Sequence, residues 1–270
     1  MLRTRLLSGA IFLTLSLWLI SEGGLLFSLG VTLSMILCGI EFTALMQNGG
    51  IPLRFPLVIA GIVVLCVVQT FFRMDSALTP TILGIMLMNL AVMIAVFHAN
   101  VNAAYAFGLS VAITLYLGLA GAHIIALRQL PHGTAWALLT LLSTGLGDVG
   151  AYFTGRLLGR RKLAPSLSPN KTFEGYLGGV MTAGLTGALL AAAFPSVIRL
   201  SDGAILGTLV GVFSPFGDLG MSAFKRAVGV KDFSRLLPGH GGLLDRFDSL
   251  LIGAVIGFYY IQWVVGLGIG

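Results

Sequence analysis

Apolar residues run along this chain in blocks too long for the core of a soluble domain. A helix needs about 20 residues to cross the hydrocarbon of a bilayer. The blocks lie at residues 6–21, 24–46, 56–73, 80–99, 102–127, 134–155, 174–196, 203–224 and 248–268, so nine spans are predicted. Pro52 and Pro56, Thr79-Pro80, and Pro131-His132-Gly133 mark breaks between the earlier blocks, since proline and glycine punctuate helices. The first block follows the basic start Met1-Leu2-Arg3-Thr4-Arg5, which suits a signal peptide or a first helix. Ser21-Glu22-Gly23 is a poor cleavage site, so an uncleaved helix is expected. Polar positions collect in two stretches, 156–173 and 225–247. The expected organisation is therefore an N-terminal region of about five spans, 1–130, and a region that carries the chemistry, 131–270.

Composition agrees. Hydrophobic residues make up 57% and charged residues 10%, against about 25% charged in soluble domains. Mean hydropathy is +0.98. The fold class read from this is an all-α integral membrane protein, a polytopic bundle of about nine transmembrane helices. The net charge of +6 is not a nucleic-acid footprint. It comes from loops rich in Lys and Arg, which suit anionic lipid and phosphate. With the N-terminus inside, Arg73, Arg128 and Arg199 fall outside and the other thirteen of the sixteen Lys/Arg fall inside. Basic loops stay cytoplasmic, so both polar stretches are expected to face the cytoplasm from a multi-pass cytoplasmic membrane protein. Cys38 and Cys66 sit in apolar runs and read as buried hydrophobes, not as a disulfide or a zinc site.

Glycines recur every four residues at Gly175 and Gly179, at Gly203, Gly207 and Gly211, and at Gly253 and Gly257. Small residues let helix backbones approach closely in lipid. These stripes read as packing seams, either within the chain or between two copies in a homodimer.

The charged residues of the last three spans have helical spacing. Asp218, Ser222 and Lys225 share one face at i, i+4 and i+7, and Asp245 and Asp248 share another at i and i+3. Asp148 lies inside the sixth span between Thr144 and Tyr152. Carboxylates gathered in a membrane repel unless a cation lies between them. Hard oxygen donors without a His or Cys cluster point to Mg²⁺ at Asp148, Asp218, Asp245 and Asp248, with room for a second cation. Glu41 has no typed partner nearby and reads as a structural residue.

Two motifs tie these residues together. One is Ser222-x-x-Lys225-Arg226, then Lys231-Asp232, then Pro238-x-His240-Gly241-Gly242-x-x-Asp245-Arg246-x-Asp248; the other is Ala151-Tyr152-Phe153-Thr154-Gly155-Arg156, then Ser168-Pro169-Asn170-Lys171-Thr172-Phe173-Glu174-Gly175. Together they resemble the signature of the phosphatidate cytidylyltransferase family, integral membrane enzymes that make CDP-diacylglycerol. The resemblance covers roughly residues 140–260. It departs at Met221, where the family pattern carries Glu before the Ser.

The resemblance implies transfer of CMP from CTP to phosphatidate, at the cytoplasmic side of the bilayer, with release of pyrophosphate. Asp218, Lys225, Asp245, Asp248 and His240 are then the expected catalytic residues. Ser168, Asn170, Lys171, Ser222, Arg226, Lys231, Gly241, Gly242 and Arg246 are the expected substrate contacts, with the glycines letting backbone N–H groups approach phosphate. A related CTP-dependent lipid kinase and a membrane transporter are the alternatives. A transporter has no need of the Lys225-Arg226 and His240-Gly241-Gly242 cluster in one loop.

Overall fold

The computed structural model describes residues 2–72, 74–96, 101–234, 236–237 and 241–267, with side chains described for 9–72, 77–95, 104–234, 236–237 and 241–267. Arg73, His98, Arg235, Pro238, Gly239, His240 and the side chains of Arg3 and Arg5 lie outside the described residues, as do the predicted span ends 97–99 and 268.

Among the described residues nine helices stand where nine spans were predicted. They are α1 (Leu2–Glu22), α2 (Gly24–Asn48), α3 (Phe55–Phe72), α4 (Met74–Val96), α5 (Val101–Gln129), α6 (Gly133–Leu158), α7 (Phe173–Ala193), α8 (Leu200–Ala227) and α9 (Leu244–Tyr260), the last ending in a wider π turn, Ile261–Val265. Among the described residues, seven segments are long and apolar enough to cross a membrane. The described part of α1 is apolar but short, and α6, which carries Asp148 and Arg156, is not one of the seven.

Three features differ from the sequence reading. Pro80 does not mark a break: α4 begins at Met74 and runs through it, as α8 runs through Pro215. Away from water, ending a helix exposes several backbone groups, whereas a proline removes one hydrogen bond. The stretch 156–173 is not a plain loop but holds an antiparallel hairpin of β1 (Lys162–Ala164) and β2 (Ser168–Thr172). And α9 starts at Leu244, one turn before the predicted 248.

The chain divides into two compact units. One comprises Met1–Ala126 with Val228–Asp245; the other comprises Leu127–Ala227 with Arg246–Gly270. In the first, Met35, Cys38 and Phe42 of α2 and Val58, Ile62, Leu65 and Cys66 of α3 are fully buried. Neither cysteine forms a disulfide.

In the second unit the glycine stripes are intramolecular seams. A Cβ on Gly175 would stand 2.8 Å from the Ala151 carbonyl oxygen, and one on Gly179 would stand 3.0 Å from that of Gly147, so α6 and α7 touch backbone to backbone. On the other side of α7, Gly187 meets the Gly203 carbonyl and Gly207 meets the Ala183 carbonyl with no room for a Cβ. Gly253 and Gly257 of α9 lie against the hydroxyls of Thr144 and Thr140, with a Cβ 2.9 Å from each.

Candidate active site

The hairpin end of the second unit gathers its charge. The hairpin is fixed at its base. The Glu174 carboxylate accepts from the backbone N–H of Arg160 at 2.9 Å and of Arg161 at 3.2 Å. Thr172 caps α7 by accepting from the Gly175 N–H at 3.1 Å. Arg226, near the end of α8, donates from Nε to the Leu167 carbonyl at 3.2 Å. This brings β2 alongside α8, and Lys171 forms an ion pair with Asp218.

Asp218 is the centre of the cluster. Ser222 Oγ donates to its Oδ1 at 3.2 Å, one helical turn on, and Lys225 lies within electrostatic range, as the shared helical face predicted. Gly217 has no room for a Cβ because the Asp248 carbonyl packs against it. That contact sets α9 against α8 and brings Asp248, 5% exposed, within electrostatic range of Asp218, Lys225 and Asp148. The Asp248 carboxylate also accepts from the Ser249 N–H at 2.7 Å. Asp148, on α6, interacts with Lys171, Asp218 and Arg246. Three carboxylates and two lysines, from four elements, thus share one neighbourhood.

Beside them lies a cavity of about 520 Å³ between α6, α7, α8 and the hairpin, within the usual range for small-molecule sites. Asp148, Asn170, Lys171 and Asp218 line it, as do Arg156 and Tyr152, whose side chains are joined by a 3.0 Å hydrogen bond. Farther along the helices the lining turns apolar. There it includes Ser214, 3% exposed, whose hydroxyl has no hydrogen-bond partner among the described residues. Ser214 was not expected at a site, since a hydroxyl on a long helix carries no local signal of what it faces; Tyr152 and Arg156 belong to the second motif but were given no role there.

The remaining expected residues are placed as follows. Ser168 begins β2 and Arg246 is exposed on α9. Met221 is buried in α8, 4% exposed. Lys231, Gly241, Gly242 and Asp245 belong to the first unit. There Asp245 Oδ2 accepts from the N–H groups of Phe233 at 3.0 Å and Gly242 at 2.9 Å. Those of Leu243 and Leu244 go to Glu41 at 2.9 and 2.8 Å. The backbone donors of Gly242 and the two residues after it are therefore given to the carboxylates of Asp245 and of Glu41 on α2 rather than held open for phosphate. Glu41, which reads from the sequence as a structural residue with no typed partner nearby, has its partners here. Its signal was an acidic side chain alone in an apolar run, which in a membrane demands a partner.

A membrane-embedded carboxylate and lysine cluster beside a cavity defines a class of integral membrane enzyme, and the comparisons give the family. The sequence pattern of the cytidylyltransferase family matches residues 3–264, and the chain belongs to that family. It is similar to a phosphatidate cytidylyltransferase from Brucella melitensis, at 34% identity over 94% of this chain and 91% of the other. It is also similar to a phosphatidate cytidylyltransferase from Staphylococcus saprophyticus, at 40% over 50% of this chain, and to the uncharacterized protein YnbB of Escherichia coli, at 42% over 52%. The matched stretches cover about half the length of these last two, 52% and 49% respectively.

Proposed function

We propose that this chain transfers the cytidylyl group of CTP to phosphatidate, forming CDP-diacylglycerol and pyrophosphate. The observation that carries this reading is the cluster of Asp148, Asp218 and Asp248 with Lys171 and Lys225, set beside a cavity large enough for a nucleotide or a lipid headgroup. The curated relatives that bear the name of this activity support it.

An anionic phosphate oxygen of phosphatidate forms a bond to the α-phosphorus of CTP. The bond from that phosphorus to the bridging oxygen breaks, and pyrophosphate leaves with the electron pair. The attacking oxygen is already ionised near neutral pH, so positioning and charge neutralisation dominate over proton transfer. Lys171 and Lys225 are the fixed cations for this task, and Arg156 lies on the cavity wall for a further phosphate oxygen. Ser222 holds Asp218 in orientation, and Asn170 is the hydrogen-bonding side chain beside Lys171. We place the hairpin on the cytoplasmic side, where CTP is, because that orientation leaves the thirteen basic residues inside.

The donor set suits magnesium. Among the described residues no three acidic, His or Cys side chains stand ready to hold an ion by themselves. Magnesium commonly takes only one or two carboxylates and completes its shell with substrate phosphates and water. Asp218 and Asp248 would hold it, with Asp148 left for a second cation. The ion would screen the charge of the nucleotide from the carboxylates.

The test uses the purified protein in detergent with phosphatidate, Mg²⁺ and CTP labelled at the α-phosphate. Label in the lipid phase with matching pyrophosphate is the expected result. A parallel reaction with diacylglycerol as the hydroxyl acceptor and γ-labelled CTP, if it alone labels the lipid, identifies a lipid kinase instead. No transfer from either position overturns both readings.

A further inference from the structure

Glu41 is the one acidic residue of α2 and is 6% exposed. A carboxylate buried at that level is costly unless every lone pair finds a donor. Among the described residues its donors are not cations. Ser234 Oγ donates to Oε1 at 2.6 Å, the Leu243 N–H donates to the same oxygen at 2.9 Å, and the Leu244 N–H donates to Oε2 at 2.8 Å. All three come from the segment Val228–Asp245 of the same compact unit. Leu244 is the first residue of α9, so the carboxylate sits where unpaired N–H groups and the helix dipole favour an anion. Ser234 extends the tie by accepting from the Leu236 N–H at 3.0 Å. From within the loop, Asp245 takes the N–H groups of Phe233 and Gly242.

The glycine pair then has a reason unrelated to phosphate. A Cβ on Gly242 would stand 2.7 Å from Glu41 Oε2 and 3.0 Å from its Cδ. Gly242 is bare so that a carboxylate from α2 can reach the backbone. Gly241 has φ +85°, a conformation that glycine adopts without strain. Its carbonyl accepts from the Leu237 N–H at 2.9 Å and closes the turn.

We propose that Glu41 is a positioning residue for the transfer reaction. It fixes where α9 begins, and with that the angular placement of Asp245 and Asp248 around that helix. The N–H groups of residues 242–244 are committed to Asp245 and Glu41. This rests on the reading of the chain as a cytidylyltransferase.

Glu41→Gln keeps the size of the side chain but turns an NH₂ toward a backbone N–H, because both oxygens accept. Gly242→Ala pushes a methyl into the same carboxylate. In each variant the kcat per folded molecule is expected to fall roughly 10–100-fold, as for other residues that orient a site from behind. KM for CTP and for phosphatidate should change little. The combined variant should lose no more than the worse single one, because both break the same contact. Ser234→Ala removes one of the three bonds and should give a smaller loss in a protein that still folds. Trypsin cleavage after Lys231 should quicken in Glu41→Gln while cleavage at Arg160, Arg161 and Lys162 keeps its wild-type rate. Additive losses, or a lower folded yield with normal kcat, would reduce Glu41 to a structural role and overturn the proposal. So would an unchanged cleavage rate in the loop. A wild-type protein that transfers nothing refutes the functional reading instead, and the cleavage rates still decide how the loop is held.

Discussion

Lys171→Met tests the charge balance of the site most directly. The substitution keeps an unbranched side chain of similar length and removes only the cation paired with Asp218. The two side chains are 28% and 30% exposed, so the pair lies between two regimes. Two unit charges 4 Å apart attract by about 4 kcal/mol at an effective dielectric of 20. Exposed pairs return about 0–1 kcal/mol after screening, and breaking a buried pair costs about 3–5 kcal/mol. The middle of that range, about 2 kcal/mol, is the expected loss here. Asp148 and Asp248 push it toward the upper side, because both repel the orphaned Asp218. Such a loss lowers the melting temperature by about 4–8 °C for a chain of this size. Thermal unfolding in detergent, followed by tryptophan fluorescence, measures it. Lys171→Met with Asp218→Asn removes the orphaned charge and should recover most of the loss. Turnover should fall roughly 10²–10³-fold in Lys171→Met and stay low in the double variant, which separates folding from chemistry. A Lys171→Met protein that melts with the wild type, or a double variant less stable than the single one, would refute the reasoning.

Three further outcomes are expected. Gly207→Ala drives a methyl into the Ala183 carbonyl and should cost about 1–3 kcal/mol of stability, whereas Gly220→Ala, with open space around it, should melt at or slightly above the wild-type temperature. Asp218→Asn and Asp248→Asn should each abolish Mg²⁺-dependent label transfer while the protein elutes from a sizing column as the wild type does; near-normal transfer in either removes that residue from the site. Glu174→Gln loosens the hairpin base, and faster tryptic cleavage at Arg160, Arg161 and Lys162 with unchanged cleavage at Lys231 is the result that confirms it.

The helices were readable from the sequence because lipid imposes length. Each apolar block had to be about 20 residues, and the observed spans begin and end near the predicted ones. The face shared by Asp218, Ser222 and Lys225 was readable for the same reason, since helical spacing places side chains without tertiary information. The hairpin was not, because Ser168-Pro169-Asn170-Lys171-Thr172 has no apolar alternation and its order comes from Glu174 and Arg226. The pairing of Lys171 with Asp218 joins residues far apart in the chain, and the grip of Glu41 on Leu243 and Leu244 reaches about 200 positions away. No local pattern encodes such partners. The glycine pair misled for a physical reason: a missing Cβ admits a carboxylate as readily as a phosphate.

Helix α7 carries two kinds of information on opposite sides. Leu177, Met181, Leu185 and Leu189 are all more than half exposed, while Gly179, Ala183 and Gly187 meet neighbouring backbone. Any apolar residue satisfies lipid, so the outer side can drift through Leu, Ile, Met and Phe without consequence. The inner side has no rotamers with which to absorb a change. Random mutagenesis of this one helix should therefore return a record with a period of four, permissive on one side and nearly silent on the other, and that record would trace the seams α7 makes with α6 and α8.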